Sequence, residues 1–188
     1  MGLGSKVEIF NSALAKIGVE GVTSPTDNNT RARLCNQIFD ICRRDVLRDH
    51  PWRFAKKEAT LNLSSDSPVL TEYTKIYQLP QDNLRVLKVE DFDIPWEVKQ
   101  DKIYTTASSC LVEYIYDCEQ VGLFDSNFCE ALAYRMAMDL AQPLTGSSTL
   151  SKDMEGRYKQ QLSKARFSNA TEAYNPSVQA NDWLNGRY

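Results

Sequence analysis

The sequence predicts an α+β fold: a four-helix, bundle-like core, an antiparallel β-rich domain inserted between the second and third helices, and an extended C-terminal tail. Three observations carry that expectation. Apolar residues recur at helical spacing over the first fifty residues and again after Gly122, the repeat shortens to two between residues 52 and 117, and sustained periodicity stops after residue 167. The boundaries that follow are 1–51 with 124–167 for a discontinuous helical core, 52–123 for the β-rich insertion and 168–188 for the tail. With 188 residues, 42% of them apolar, the chain can bury a core of its own.

The first helix is predicted over Val7 to Ile17, where Val7, Phe10, Ala13, Leu14 and Ile17 form one apolar face. Gly18 follows, where a helix end favours a left-handed residue. After a polar, turn-rich stretch containing Pro25, a second helix is expected to begin near Thr26 or Asp27 and to run to Asp49. Leu34, Cys35, Ile38, Phe39, Ile41, Cys42 and Val46 make its apolar stripe, with Arg43, Arg44 and Arg48 facing elsewhere and Asp40 spaced to pair with Arg44. Pro51 forces His50 into extended geometry and closes the helix.

Strand-like alternation then takes over at Ala59 to Leu63, Tyr73 to Leu79, Leu84 to Val89, Trp96 to Lys99, Lys102 to Thr105 and Leu111 to Tyr116. Prolines 68, 80 and 95 punctuate the region, so a compact antiparallel sheet or small barrel of about five or six strands is expected. A third helix follows from Phe128 to Gln142, with Asn127 and Glu130 as a capping pair and Pro143 as its end. Apolar or small residues cover most of its circumference, which places it at the centre of the bundle. The fourth helix, Thr149 to Phe167, aligns Leu150, Met154, Tyr158 and Leu162 despite Gly156.

Charge and composition narrow the function. The 22 Lys and Arg against 25 Asp and Glu give a net charge of −3, so no global field draws in nucleic acid. No apolar run reaches the ~18–20 residues of a membrane span, no signal-peptide core opens the chain, and Lys6 spoils a myristoylation pattern. Cys35, Cys42, Cys110, Cys118 and Cys129 contain no CxxC pair, so buried, reduced thiols are expected. Nucleotide-binding glycine loops, GxSxG and HExxH are all missing, and no cofactor is expected.

Candidate residues fall in two groups. Arg43, Arg44, Arg48, Arg53, Lys56 and Lys57, interleaved with Trp52 and Phe54, form a basic stretch suited to a subunit contact or a DNA-facing surface. Asp40, Asp45, Asp49 and Glu58 lie among them and weaken its field. In the tail, Tyr174, Asn175, Trp183, Leu184, Arg187 and Tyr188 supply the aromatic and arginine anchors of a docking segment, the alternative being a tail that folds back on its own domain. The lone histidine, His50, reads as a structural helix-end residue, and Glu113, Asp117 and Glu119 read as surface charge rather than a two-carboxylate hydrolase site.

Taken in order, NSALAKIG at 11–18, DNNTRARLCNQIFDICRRDVLRDHPWRFA at 27–55, YQLPQDNLRVLKV at 77–89, LVEYIYD at 111–117 and FDSNFCEALAYRMAMDLA at 124–141, with the helix ending in KAR at 164–166, resemble one family. That family is the tail tubular protein A family, the head-to-tail adaptors of short-tailed bacteriophages. The resemblance covers most of the chain and rests on the order of its motifs, each of which alone mainly encodes packing. It implies a non-enzymatic virion protein made in the host cytoplasm. Such a protein forms a homo-oligomeric ring, a dodecamer, between the portal protein and the tail nozzle protein, around a channel for genomic DNA. It also implies that Asn175 to Tyr188 reach the portal. A tail-associated cell-wall glycan hydrolase and a DNA-binding protein are the alternatives.

Overall fold

A computed structural model describes residues 4–68, 72–90 and 94–172 of the chain. Among these residues, the helices are α1 (Lys6–Lys16), α2 (Thr30–Asp49), α3 (Ser126–Thr145) and α4 (Ser148–Glu172). The strands are β1 (Lys56–Thr60), β2 (Asn62–Leu63), β3 (Lys75–Gln78), β4 (Asn83–Val89), β5 (Trp96–Lys99), β6 (Lys102–Thr105) and β7 (Leu111–Tyr116). The fold is α+β, with every strand lying between α2 and α3 in chain order.

Local chemistry sets the helix ends. Ser5 and Glu8 form a reciprocal capping box that starts α1, and Gly18, at φ +71°, takes the left-handed conformation beyond its end. α2 starts at Asn29 rather than at Thr26 or Asp27. The Asn29 side chain accepts from the Ala32 N–H at 2.8 Å, while Asp27 is occupied closing the preceding turn, accepting from the N–H groups of Thr23 and Ser24 at 2.8 and 3.1 Å. The cap of α3 is likewise Asp125, whose Oδ1 accepts from the Phe128 N–H at 2.6 Å, and not Asn127 with Glu130.

Pro143 does not end α3. The helix carries the proline in its last turn and stops at Gly146, φ +71°, whose N–H still reaches the Gln142 carbonyl at 2.9 Å. A proline removes only its own N–H, and so close to a terminus the remaining bonds hold the turn. α4 runs on to Glu172, five residues past the expected end, and tolerates Gly156.

α3 organises the helical layer, packing against each of α1, α2 and α4. Phe128, Leu132, Met136 and Leu140 on it are at most 1% exposed, and small residues such as Ala133 and Ala137 let the neighbouring helices approach closely. At its N-terminal end Phe128 meets Trp52, Phe54 and Phe124 with ring centroids 5.2, 5.0 and 4.6 Å away, all near edge-to-face. Trp52 is 1% exposed and donates its indole N–H to the Val46 carbonyl at 2.7 Å. This cluster sits where the chain leaves the helices and where it comes back.

The strands form two antiparallel sheets, ordered β1-β7-β4 and β2-β3-β6-β5. They differ from the expected single sheet or small barrel in being separately bonded, yet β1 and β2 are one strand bent at Leu61, whose N–H turns to the Cys110 carbonyl at 2.8 Å. Following that shared strand, the order is β4-β7-β1/β2-β3-β6-β5, an open barrel with no bonding between β4 and β5 among the described residues. β7 serves both sides of the sheet. Ile115 belongs to the helical core, while Val112 and Tyr114 join Leu61, Tyr77, Val89 and Ile103 in a second core inside the strands.

Phe128→Ala is expected to lower unfolding stability by about 3–5 kcal/mol, measured by urea denaturation, because it opens a cavity under three aromatic neighbours. Phe167, 74% exposed, is expected to cost under ~0.5 kcal/mol when changed to alanine. Equal midpoints for the two variants would remove α3 from the centre of the account.

Candidate interaction surface at the helix–strand junction

The basic stretch lies along the end of α2 and the start of β1, and most of its charge is already engaged. Arg43 is 1% exposed, against the expectation that it faces away from the apolar stripe. Its Nη1 donates to Asp117 Oδ1 and, at 2.7 Å, to the Cys118 carbonyl, and its Nε donates to Asp40 at 3.4 Å. Arg44, half exposed, donates from Nε to the other Asp117 oxygen at 2.8 Å, so Asp117 and not Asp40 is its partner. One carboxylate just past β7 is therefore clamped by two successive arginines of α2.

The remaining cations continue this seam. Arg48 Nη1 donates to the Leu84 carbonyl of β4, and Arg85 Nη1 returns a bond to the Arg48 carbonyl, both at 2.8 Å. Lys56 pairs with Glu113 at 3.2 Å, while Lys57 pairs with Asp82 at 2.8 Å and sits 3.8 Å from the Tyr116 ring centre. Arg53 is exposed on the 3-10 turn Arg53–Ala55. The six residues are brought together, but chiefly as a latch between helices and strands. Arg43 is too deeply buried to contact another molecule, whereas Arg44, Arg53 and Lys57 keep solvent-facing surface.

Burial makes Arg43 the costly member. A desolvated guanidinium must be paired and hydrogen-bonded, and removing one partner strands the other charge. The exposed pairs contribute little by comparison, because water and salt screen them.

The hydrolase candidates are ion-paired. Asp117 lies between Arg43 and Arg44, Glu113 between Lys56 at 3.2 Å and Lys88 at 3.6 Å, and Glu119 is exposed. A general acid needs instead a desolvated carboxyl away from cations. Burial pushes the Cys35 thiol up to about 11 and Cys42 up to about 12, so neither supplies a thiolate nucleophile near neutral pH. Among the described residues, no group of three or more His, Cys, Asp or Glu is arranged to hold a metal ion.

A second polar seam joins α2, α3 and α4, and of its pairs only Arg135–Asp139 is legible in the sequence, by its spacing. The Tyr158 hydroxyl donates to Asp49 at 2.7 Å, and burial, reinforced by Asp49, holds that hydroxyl protonated. Arg135 bridges Asp45 at 2.9 Å and Asp139 at 2.7 Å, the latter being the pair that its i,i+4 spacing predicts. An open groove of about 430 Å³ runs over them, lined also by Met138, Leu162 and Arg166. The docking candidates Tyr174, Asn175, Trp183, Leu184, Arg187 and Tyr188 all lie outside the described residues.

His50 is 3% exposed and packs edge-on against Trp52 at 4.6 Å. Burial first, then Arg166 and Lys56, push its pKa below the ordinary 6.5. It is the extended C-cap residue of α2, in keeping with a structural role.

No protein-family model matches the chain, and no curated protein matches it. Among the described residues, no helix is long and apolar enough to cross a membrane.

Arg43→Ala is expected to destabilise the fold by about 3–5 kcal/mol, and Arg44→Ala by under ~1 kcal/mol. Urea titration of both variants checks this, and similar losses would mean that burial of the guanidinium is not what matters. For His50, the unfolded chain takes up the proton first. Its contribution to stability is full above about 6.5 and declines as pH falls from there toward the lowered folded value. Thermal melts from pH 8 to pH 5 should therefore show a steeper fall for the native chain than for His50→Gln, and parallel profiles would contradict the shift.

Proposed function

We propose that this chain is a head-to-tail adaptor of a short-tailed bacteriophage virion. Copies of it assemble as a homo-oligomeric ring, twelvefold in the closest reading, between the portal protein and the tail nozzle protein. The ring leaves an axial channel through which genomic DNA passes without sequence-specific contact. The action is mechanical, with no catalytic step and no cofactor. The protein is made in the host cytoplasm and ends up in the tail at the portal vertex.

The observation that carries this reading is the resemblance of the ordered set of motifs to those of the tail tubular protein A family. Those motifs fall on successive elements of the fold: α1, the capped entry and body of α2, the β3–β4 turn, β7, and the capped start of α3. Engagement of the basic stretch in intramolecular bonds supports structural duty over DNA reading, and the net charge of −3 supports a channel that DNA does not stick to. Subunits join a pre-formed portal ring, and many modest contacts repeated around it yield avidity. The C-terminal residues 175–188 dock on the portal, with Trp183, Leu184, Arg187 and Tyr188 as anchors.

Deleting residues 175–188 is expected to abolish attachment to portal-containing capsids while leaving the circular dichroism spectrum and melting temperature of the isolated protein unchanged. Attachment at native levels by the truncated protein would contradict the docking role.

A further inference from the structure

The open barrel lacks one strand. Six strand positions follow one another from β4 through β7, β1/β2, β3 and β6 to β5, and the two ends of that series flank a slot instead of bonding to each other. Among the described residues each flanking strand is a sheet edge, so each carries a row of backbone groups without a ladder partner there. β5 is the more open of the two, because on β4 the Leu84 carbonyl is already taken by Arg48.

The side chains around the slot are those of an unfinished core. Val98 pairs with Ile103 and Trp96 with Thr105 across β5 and β6, and directly opposed residues share a face. Ile103 is fully buried and Thr105 is 1% exposed, so Val98 and Trp96 are turned to the interior side of the barrel. They are nonetheless 40% and 36% exposed. Opposite them stands Val86 of β4, which packs on the strand core, while Leu84 at the rim packs on the helical core, and the space between has a volume of about 380 Å³. Interior-facing apolar residues left open to water beside a free strand edge are the features of a strand-addition site.

Charge specifies the occupant further. Arg48 and Arg85 line the slot together with Asn83 and Gln100, and among the described residues no carboxylate does. We propose that the slot between β4 and β5 accepts an extended, acidic segment of a partner protein, which pairs with the free edge of β5 and fills the missing strand position. Alternate residues of that segment cover Val86, Trp96 and Val98, and its carboxylates meet Arg48 and Arg85. Unbonded backbone and an apolar floor favour a peptide strand over nucleic acid, which has no ladder of amides to offer. The inference stands on the barrel alone and is independent of the adaptor reading.

The test uses the full chain, isotopically labelled, with blocked peptides of about eight residues spanning ~26 Å. One peptide alternates glutamate with valine and threonine, a second replaces glutamate by lysine, and an oligothymidylate is the third probe. The acidic peptide is expected to shift the amide signals of Trp96–Lys99 and Asn83–Val86, with a Kd below about 100 µM. The lysine peptide is expected to bind at least ~10-fold more weakly, Val98→Lys to reduce acidic-peptide binding by a similar factor, and Arg85→Glu to reverse the charge preference. Both positions are solvent-accessible, and matched melting temperatures establish that these variants fold. Equal binding of the two peptides, binding of neither, shifts confined to another surface, or tighter occupation by oligothymidylate would overturn the proposal. So would a concentration-dependent dimer of the free chain that Val98→Lys abolishes, because it would assign the slot to a second copy.

Discussion

The fold depends on how the chain leaves the helices at Pro51 and returns to them after Tyr116. Those two crossings must lie side by side, and the interaction that holds them there is the buried Arg43 with Asp117 and the Cys118 carbonyl. Arg43 comes from α2, Asp117 from the end of β7, and nothing in the local chain brings them together. A buried ion pair of this kind is weak evidence for net stability, since desolvation offsets most of the attraction. Its value is specificity of arrangement: any register of β7 that moves Asp117 leaves a guanidinium buried and alone. Beside it, Trp52, Phe54, Phe124 and Phe128 fill the same junction with apolar area, so one crossing is fixed by both directional bonds and bulk packing.

With that junction set, the two cores divide the work. α3 gathers the other three helices on one side of the sheet, and the strands close a smaller core on the other. β7 belongs to both because its side chains alternate, Ile115 toward the helices and Tyr114 away from them. The polar contacts from α2 to β4, through Arg48 and Arg85, keep the strands from pivoting on the helices. They also occupy part of the β4 edge, which leaves β5 as the exposed side of the slot.

Much of this was legible in the sequence, and the misses have physical causes. Helical and strand periods located all four helices and the strands, because one-sided burial writes itself into the spacing of apolar residues. Helix starts were less legible: Asp27 and Asn29 are both good caps, and only the turn chemistry at Thr23 and Ser24 decides which of them is free. Pro143 read as a stop because a proline usually is one, but near a helix end it removes a single bond. The basic stretch is visible in the sequence as a cluster, but its intramolecular partners are not. Arg43 looks like a surface residue at the edge of an apolar stripe, and its partner lies 74 positions away. The slot was invisible for the same reason, since alternation reveals a strand but not which of its edges lacks a neighbour.

Two polar seams and two cores tie the helices and strands together, and among the described residues the open β5 edge and the groove over α2 and α4 remain as surfaces. In the proposed ring, each copy would meet two like neighbours and two unlike rings. Electron cryomicroscopy of capsids incubated with the purified protein tests the central claim most directly. The account predicts a closed ring of this chain at the portal vertex, with an axial channel wide enough for duplex DNA. Capsids that carry no added density at that vertex, with the protein remaining in solution, would contradict it.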